Sequence, residues 1–211
     1  MKTCRCSLPS PGGIALTKHA LELCRFPSGA KLADIGCGAG ESVRYVNECT
    51  EFTMTGIDKD PAIAEAVTGD CCLCGDAAAL PFAACTFDGI FFKCSFSKLS
   101  EPESALREAF RVLKVKGRLV VADFYALESE ANFSGLMGRV ERQEKISARF
   151  SAAGFTPLLF EDYTHGLREF WGQLIFDYGT EVLDELLGGC GKITAARCGY
   201  GLFIAERPWR K

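Results

Sequence analysis

The sequence lacks any apolar run near the roughly 20 residues that a membrane-spanning helix needs. It also lacks a basic excess, because 27 acidic residues outnumber 24 basic ones and give a net charge of −3. A mildly acidic chain has no electrostatic footprint for nucleic acid or an anionic membrane, so we expect neither as a partner. Residues 1–11 carry no apolar signal region, which favours a cytoplasmic protein.

Histidine is scarce, and only His19 and His165 are present as histidine candidates for a general base. Cysteine, by contrast, occurs twelve times. Cys71 and Cys74 have C-x-x-C spacing, but residues three apart on a strand face opposite sides of a sheet, and no second pair stands at zinc-finger spacing. We therefore predict no metal site. In a chain of this length we expect free thiols, many of them packed in the core as small apolar side chains.

The order of hydrophobic segments predicts the fold class. The chain of 211 residues is 48% hydrophobic, which suits one compact α/β domain with an ample core. Apolar runs predict strands at about 30–33, 52–57, 71–75, 87–92, 118–124, 156–163 and 200–205. Helical periodicity predicts helices at 13–25, 41–46, 61–67, 101–113, 137–153 and 166–187. Strands that alternate with helices predict a parallel sheet covered on both faces.

The most informative stretch is residues 34–40, which read Asp-Ile-Gly-Cys-Gly-Ala-Gly between the first strand and a helix. Glycine permits a tight turn and close approach of a ligand, and the new helix offers free N–H groups at its start. Asp34 would repel a pyrophosphate but suits a ligand with a cationic centre and an amino group. A dinucleotide fingerprint places its third glycine at position 41, which is Glu41 here, so a nicotinamide-dependent oxidoreductase is disfavoured.

Two further carboxylates follow the second and third predicted strands, where ligands bind in open α/β sheets. Asp58 ends the segment Gly-Ile-Asp and is placed to accept both hydroxyls of a ribose. Asp76 follows the third strand and is placed to accept an adenine amino group, while the next backbone N–H reads a ring nitrogen. Each aspartate alone has the alternative role of a helix cap.

Taken as a set, these motifs closely resemble the small "type 11" class I S-adenosylmethionine-dependent methyltransferases. The matching segments are 33–40, 56–58, 75–77 with 80–82, 86–90 and 111–119. Lys114-Val115-Lys116-Gly117 replaces the family's usual Lys-Pro-Gly-Gly at a turn away from the cofactor. The resemblance implies a Rossmann-like class I methyltransferase fold with a seven-stranded, mostly parallel sheet and helices on both faces. It implies S-adenosylmethionine as cofactor, held by Asp34, Gly36, Cys37, Gly38, Gly40, Asp58, Lys59, Asp76, Ala77 and Lys93.

On this basis we expect residues 1–211 to form a single methyltransferase domain. Residues 1–28 are predicted to be a helical lid, 29–125 the cofactor-binding core, and 126–211 the acceptor-side helices and last strands. The expected function is methyl transfer to a small-molecule acceptor. An alternative is a module of the same fold that binds the cofactor or a metalloid without turnover. The oligomeric state and the acceptor are left open.

Two residues are candidates for the acceptor side of the site, Cys94 and His19. Cys94 follows the fourth strand in a setting similar to the Asn-Cys-x-x-x-Leu of arsenite methyltransferases, with Lys93 in place of the asparagine. Lys93 and Lys98 are expected to lower the pKa of this thiol and favour a thiolate, which suits a thiol or metalloid acceptor. The alternative is that Cys94 is a small residue that only lines the pocket.

Overall fold

The computed structural model describes residues 10–66, 71–133, 135, 137–179 and 197–209. Its helices are α1 (Gly13–Cys24), α2 (Glu41–Cys49), α3 (Pro61–Ala66), α4 (Pro102–Val112), α5 (Gln143–Ala152) and α6 (Thr164–Tyr178). Its strands are β1 (Lys31–Ile35), β2 (Thr53–Asp58), β3 (Cys72–Cys74), β4 (Phe87–Lys93), β5 (Leu113–Ala126), β6 (Ala131–Asn132), β7 (Arg139–Val140), β8 (Thr156–Asp162) and β9 (Cys198–Glu206). Among these described residues, no helix is long and apolar enough to cross a membrane.

Seven strands form one sheet in the order β3-β2-β1-β4-β5-β9-β8. Neighbouring strands from β3 to β5 are parallel, whereas β9 runs antiparallel between β5 and β8. The chain builds outward from β1 to β3 and then returns to place β4 on the other side of β1. This reversal opens a crevice at the carboxyl ends of β1 and β4, where open α/β sheets bind ligands. The predicted Rossmann-like, mostly parallel sheet is confirmed.

Helices cover both faces of this sheet, because α1, α2, α4, α5 and α6 each bury apolar side chains against it. One core cluster joins α1, α2 and α6 to the sheet through residues such as Leu16, Val43 and Leu174. The opposite cluster joins α4 and α5 to it through residues such as Leu106 and Phe150. The central strands are therefore buried on both faces, and any polar group at their ends lies in a partly dry crevice.

The structure corrects the sequence prediction between residues 131 and 153. The predicted helix at 137–153 begins only at Gln143, and the residues before it form the β6–β7 hairpin. Gly138 adopts a left-handed φ of +64°, and a Cβ there would lie 2.5 Å from the carbonyl oxygen of Ser97. A helix through Gly138 would not have this left-handed backbone and would not place it against the Ser97 carbonyl. The predicted helix at 166–187 is α6 up to residue 178, and residues 180–196 lie outside the described part.

The expectation that many cysteines pack in the core holds for only two of the nine cysteines that the structure describes. All nine are free thiols, and only Cys24 and Cys72 are buried. Cys49, Cys74 and Cys85 are exposed. The sulfurs therefore do not form a shared apolar layer, and their positions have to be considered one by one.

Gly138 and Gly172 form a matched pair for testing the hairpin. We expect Gly138→Ala to lower the free energy of unfolding by about 2–4 kcal/mol, because it combines a left-handed backbone with a Cβ against the Ser97 carbonyl. Gly172→Ala should raise it by roughly 0.5–1 kcal/mol, because Gly172 lies within α6 and a Cβ there meets nothing within 4 Å. Urea unfolding of both variants measures this. Equal effects at the two positions would contradict the hairpin geometry.

Candidate active site

The glycine loop leaves β1, turns between residues 36 and 40, and enters α2. Its three glycines have left-handed φ values, +76° at Gly36, +52° at Gly38 and 69° at Gly40. Gly36 is required by the protein itself, because a Cβ there would lie 2.6 Å from the Ser95 Cβ. A Cβ on Gly38 would meet nothing within 4 Å, so that position faces open space. Of these two glycines, Gly38 is therefore the one that leaves room for a ligand.

Asp34 lies at the end of β1 with only 3% of its surface exposed. Its Oδ1 atom has no hydrogen-bond partner in the described part of the chain. Burial raises the pKa of this carboxyl to about 7; the Lys93 ammonium opposes the shift, and the Asp58 carboxylate adds to it. The side chain is thus an unpaired acceptor whose charged form would be stabilised by a cationic donor.

Lys93 ends β4 and connects two helices to the crevice. Its Nζ donates to the Gly13 carbonyl at 2.8 Å, to Thr17 Oγ1 at 3.1 Å and to Ser42 Oγ at 3.3 Å. The Glu41 carboxylate lies 3.9 Å away. Burial lowers the pKa of the Lys93 amine, and the carboxylate charges oppose this shift. All three donors of the ammonium thus have protein partners, so this lysine, expected to contact the cofactor, holds α1 and α2 beside the crevice.

Asp58 supports the glycine loop from the end of β2. Its Oδ2 accepts from the Gly38 N–H at 3.1 Å, and its Oδ1 accepts from the Asp60 N–H at 3.1 Å. Ionised carboxylate oxygens have further lone pairs, so these bonds leave capacity for two ligand hydroxyls. Lys59 is exposed directly after it. The structure thus brings Asp58 and the glycine loop into contact.

Asp76 lies beyond the end of β3 in a tight turn. Its Oδ1 accepts from the Ala78 N–H at 2.8 Å, and its carbonyl accepts from the Ala79 N–H at 3.0 Å. No helix begins at Asp76, so the alternative role as a helix cap is not observed; the side chain caps a turn instead, and the carboxylate is exposed. A narrow cleft beside it is lined by Asp76, Ala77, Ala78, Leu99, Ser100, Glu101 and Ala105.

Cys94 has the opposite electrostatics to those expected from the sequence. It adopts a φ of 53°, and its Sγ lies 3.0 Å from the hydroxyl oxygen of Tyr200. Burial, and after it the Asp123 carboxylate, raises the pKa of the thiol to about 12; Tyr200, Lys98 and Lys93 only partly oppose this. The expectation that the two lysines would favour a thiolate is therefore wrong.

The two histidines lie away from the glycine loop. His19, on α1, places its Nε2 2.7 Å from the Glu161 carboxylate of β8, at the far edge of the sheet. The ring thereby attaches α1 to β8, and among the described residues no hydrogen bond joins it to the glycine loop. His165 is 85% exposed and lies 3.7 Å from Glu169, as expected for a surface residue. In the described residues no group of three or more His, Cys, Asp and Glu side chains is arranged to hold a metal ion.

Sequence reasoning missed the hydroxyl groups that organise the site. Thr17 Oγ1 lies 3.2 Å from Ser42 Oγ, and both oxygens accept from the same ammonium. Ser95 Oγ donates to the Ile35 carbonyl at 2.5 Å and fixes the end of β1. Tyr200 is fully buried and donates to the Ala122 carbonyl at 2.8 Å. No local pattern marks these residues, because their partners are 25 to 78 positions away.

Comparison with known proteins agrees with this geometry. Residues 33–121 match the family model described as "Methyltransferase domain". Phosphoethanolamine N-methyltransferase 1 of Arabidopsis thaliana is 24% identical over 94% of this chain and 46% of its own length. The ubiquinone/menaquinone biosynthesis C-methyltransferase UbiE of Roseobacter denitrificans is 36% identical over 49% of this chain and 46% of its own length. The chain spans about half the length of these curated relatives.

Among solved structures, the [4+2]-cyclase SpnF superposes with a TM-score of 0.74 and 26% identity, covering 93% of this chain and 81% of the cyclase. The matched residues 33–121 contain the glycine loop and the two aspartates that follow it. The chain is therefore similar over residues 33–121 to a methyltransferase domain, and the relatives that it matches are named as methyltransferases.

Replacing the buried carboxylate tests the electrostatics of the site. In the folded protein the pKa of Asp34 is about 7, above its ordinary value of 3.8, so the folded protein binds more protons than the unfolded chain between these two pH values. Its contribution to stability is therefore greatest at low pH and is lost as pH rises through about 7. We expect Asp34→Asn to raise the free energy of unfolding of the ligand-free protein by roughly 1–3 kcal/mol at pH 8, and hardly at pH 4.

The same variant should bind S-adenosylmethionine less tightly than the wild type at pH 8, because it cannot supply a negative charge. Wild-type affinity should also fall between pH 8 and pH 6 as the carboxylate is protonated, whereas that of Asp34→Asn should stay flat over this range. Chemical denaturation and calorimetry provide the two readouts. The role assigned to Asp34 would be contradicted if Asp34→Asn were less stable than the wild type at pH 8 and if its affinity for S-adenosylmethionine changed with pH as much as that of the wild type.

Gly38 can be compared with Gly29, which has a similar left-handed φ of +69° and also faces open space. Gly29 precedes β1 and is at the opposite end of that strand from the loop. We expect Gly38→Val and Gly29→Val to cost similar stability, on the order of 1–2 kcal/mol, from the strained backbone. Only Gly38→Val should abolish binding of S-adenosylmethionine. Equal binding by the two variants would show that the loop is only a structural turn.

Proposed function

We propose that this chain transfers a methyl group from S-adenosylmethionine to a small-molecule acceptor. The observation that carries the proposal is the unpaired, buried carboxylate of Asp34 beside the open side of Gly38. A buried carboxylate without a partner is costly, and a ligand carrying an ammonium and a sulfonium would offset that cost. A nicotinamide dinucleotide, with its pyrophosphate, would increase it.

The residues of the chain have separate tasks in this mechanism. When bound, S-adenosylmethionine supplies an electrophilic methyl group and a good leaving group. Asp34 and the glycine loop would hold the methionine part, Asp58 the ribose, and the cleft at Asp76 and Ala77 the adenine. The acceptor must then be positioned in line with the methyl group and water excluded, so an obligatory general base is not required.

The first helix is proposed to close the crevice. Lys93 already holds α1 through Gly13 and Thr17, and His19 attaches the same helix to β8. α1 therefore spans the site from the glycine loop to the sheet edge. We propose that α1 and the segments after residue 126 form the acceptor side, with residues 29–125 as the cofactor core. Residues 1–9 of the expected lid lie outside the described part.

The acceptor atom that would receive the methyl group is not assigned. The two relatives reported above are named for nitrogen and carbon methylation, and we propose only that this chain, too, takes a small molecule. The thiol or metalloid acceptor suggested by Cys94 stays a prediction, and the raised pKa of that thiol argues against it. The role of His19 on the acceptor side and the cytoplasmic location also stay predictions.

A module of this fold that does not transfer methyl groups is the alternative. The similarity to a protein named as a [4+2]-cyclase makes that alternative concrete, because the same sheet serves a different reaction there. Formation of S-adenosylhomocysteine distinguishes the two functions. Incubation of the full chain with labelled S-adenosylmethionine and panels of small phenols, amines, thiols and arsenite should release it with at least one acceptor. Binding without any release would support the module.

Asp58→Ala tests the proposed placement of the cofactor. We expect it to remove two charge-assisted hydrogen bonds to the ribose and to weaken binding by about 2–4 kcal/mol. Asp60→Ala is the control, because Asp60 is exposed and, within the described part of the chain, its side chain accepts only from the Ala62 N–H at 3.0 Å. Calorimetry with S-adenosylmethionine provides the comparison. Wild-type affinity in Asp58→Ala would exclude the ribose assignment.

A further inference from the structure

Two thiols lie in contact beside the glycine loop although they are 35 residues apart in the chain. Cys37 Sγ lies 3.1 Å from Cys72 Sγ. Cys37 is the residue between the first two glycines of the loop, and Cys72 begins β3. Cys37 is half-buried and Cys72 is buried, and both are free thiols.

The absence of a side chain at Gly56 allows this contact. In the sheet register Gly56 of β2 pairs with Cys72 of β3, so their side-chain directions point to the same face. A Cβ on Gly56 would lie 2.7 Å from Cys37 Sγ. The Cys37 sulfur therefore lies over the bare backbone of β2 and reaches the sulfur on the next strand. The contact follows from sheet register together with one glycine.

We propose that Cys37 and Cys72 form a redox-modification site, in which a reversible intramolecular disulfide weakens cofactor binding. An S–S bond measures about 2.05 Å, so closing the observed gap brings the two sulfurs about 1 Å closer and pulls the glycine loop toward β3. The loop is tied at Gly38 to the Asp58 carboxylate at 3.1 Å. A shift of this size displaces the N–H groups and the open space that the methionine part needs.

The oxidant belongs to the class of hydroperoxides, and the chemistry balances in two steps. The half-buried Cys37 thiol attacks the peroxide; an S–O bond forms, the O–O bond breaks, and water or an alcohol leaves. The sulfur of Cys72 then attacks the resulting sulfenic acid; the S–S bond forms, the S–O bond breaks, and a second water leaves. Two electrons pass from the two sulfurs to the peroxide.

The surroundings of the two thiols determine how fast they are oxidised. Burial raises the pKa of Cys37 above its usual range, and the hydrogen bond to Cys72 adds to this. Burial also raises the pKa of Cys72, while the bond to Cys37 opposes the shift. Because the thiolate is the reactive form, we expect oxidation to be slow at neutral pH and faster at alkaline pH. We therefore expect the disulfide to form during prolonged exposure to a hydroperoxide rather than during a brief one.

The test uses the full reduced chain treated with hydrogen peroxide. Mass mapping of a digest should show a peptide pair linked through Cys37 and Cys72. Calorimetry should show S-adenosylmethionine binding weakened at least tenfold, and dithiothreitol should restore it. Cys72→Ser should prevent both the link and the loss of affinity, while retaining normal affinity when reduced.

Cys74→Ser is the matched control, because Cys74 lies on the same strand but is exposed, with its Sγ 3.8 Å from the Lys59 carbonyl. It should behave as the wild type. Absence of the linked peptide overturns the modification site, and a linked chain of unchanged affinity overturns the effect on the cofactor. That effect rests on the proposed function. If the reduced wild type does not bind S-adenosylmethionine, the proposed function fails, whereas the linked peptide decides the modification site independently.

Discussion

The buried carboxylate of Asp34 is the constraint around which the crevice is built. It lies between Gly56 and Phe91 in the sheet register, near the end of β1. Among the described residues the nearby ammonium of Lys93 forms no ion pair with Asp34; it donates to α1 and α2 and lies 3.9 Å from the Glu41 carboxylate. The described chain thus keeps one negative and one positive group in a partly dry space without joining them directly. The Lys93 charge offsets the desolvation of Asp34 only in part, and a cationic ligand would relieve the remainder.

The parts of the fold that were predictable are those encoded by local periodicity. The glycine loop, Asp58 and Asp76 lie at strand ends because apolar runs and their terminators mark those ends in the sequence. The β6–β7 hairpin was missed because apolar spacing from residue 137 also suits a helix. What decides against the helix is the contact between Gly138 and the Ser97 carbonyl, and local periodicity does not contain that contact.

The side-chain partners at the site were least predictable. Thr17 and Ser42 converge on Lys93 only after α1 and α2 have packed against the sheet. For the cysteines, C-x-x-C spacing directed attention to Cys71 and Cys74, whereas register brings Cys72 to Cys37. The pKa of Cys94 was misjudged because the charges of nearby lysines were visible in the sequence and its burial was not. In each case the missing information is the distance between segments far apart in the chain.

The pKa of Asp34 also connects cofactor binding to protons. Because burial raises this pKa to about 7, protonated and ionised forms of the carboxyl coexist in the ligand-free protein near neutral pH. A ligand that selects the ionised form must expel the proton, so binding near neutral pH should release protons at this site. The free energy of binding therefore contains a protonation cost that disappears above this pH. In the folded chain alone, the same charge is destabilising, so the group that favours the ligand is also a local weakness of the empty protein.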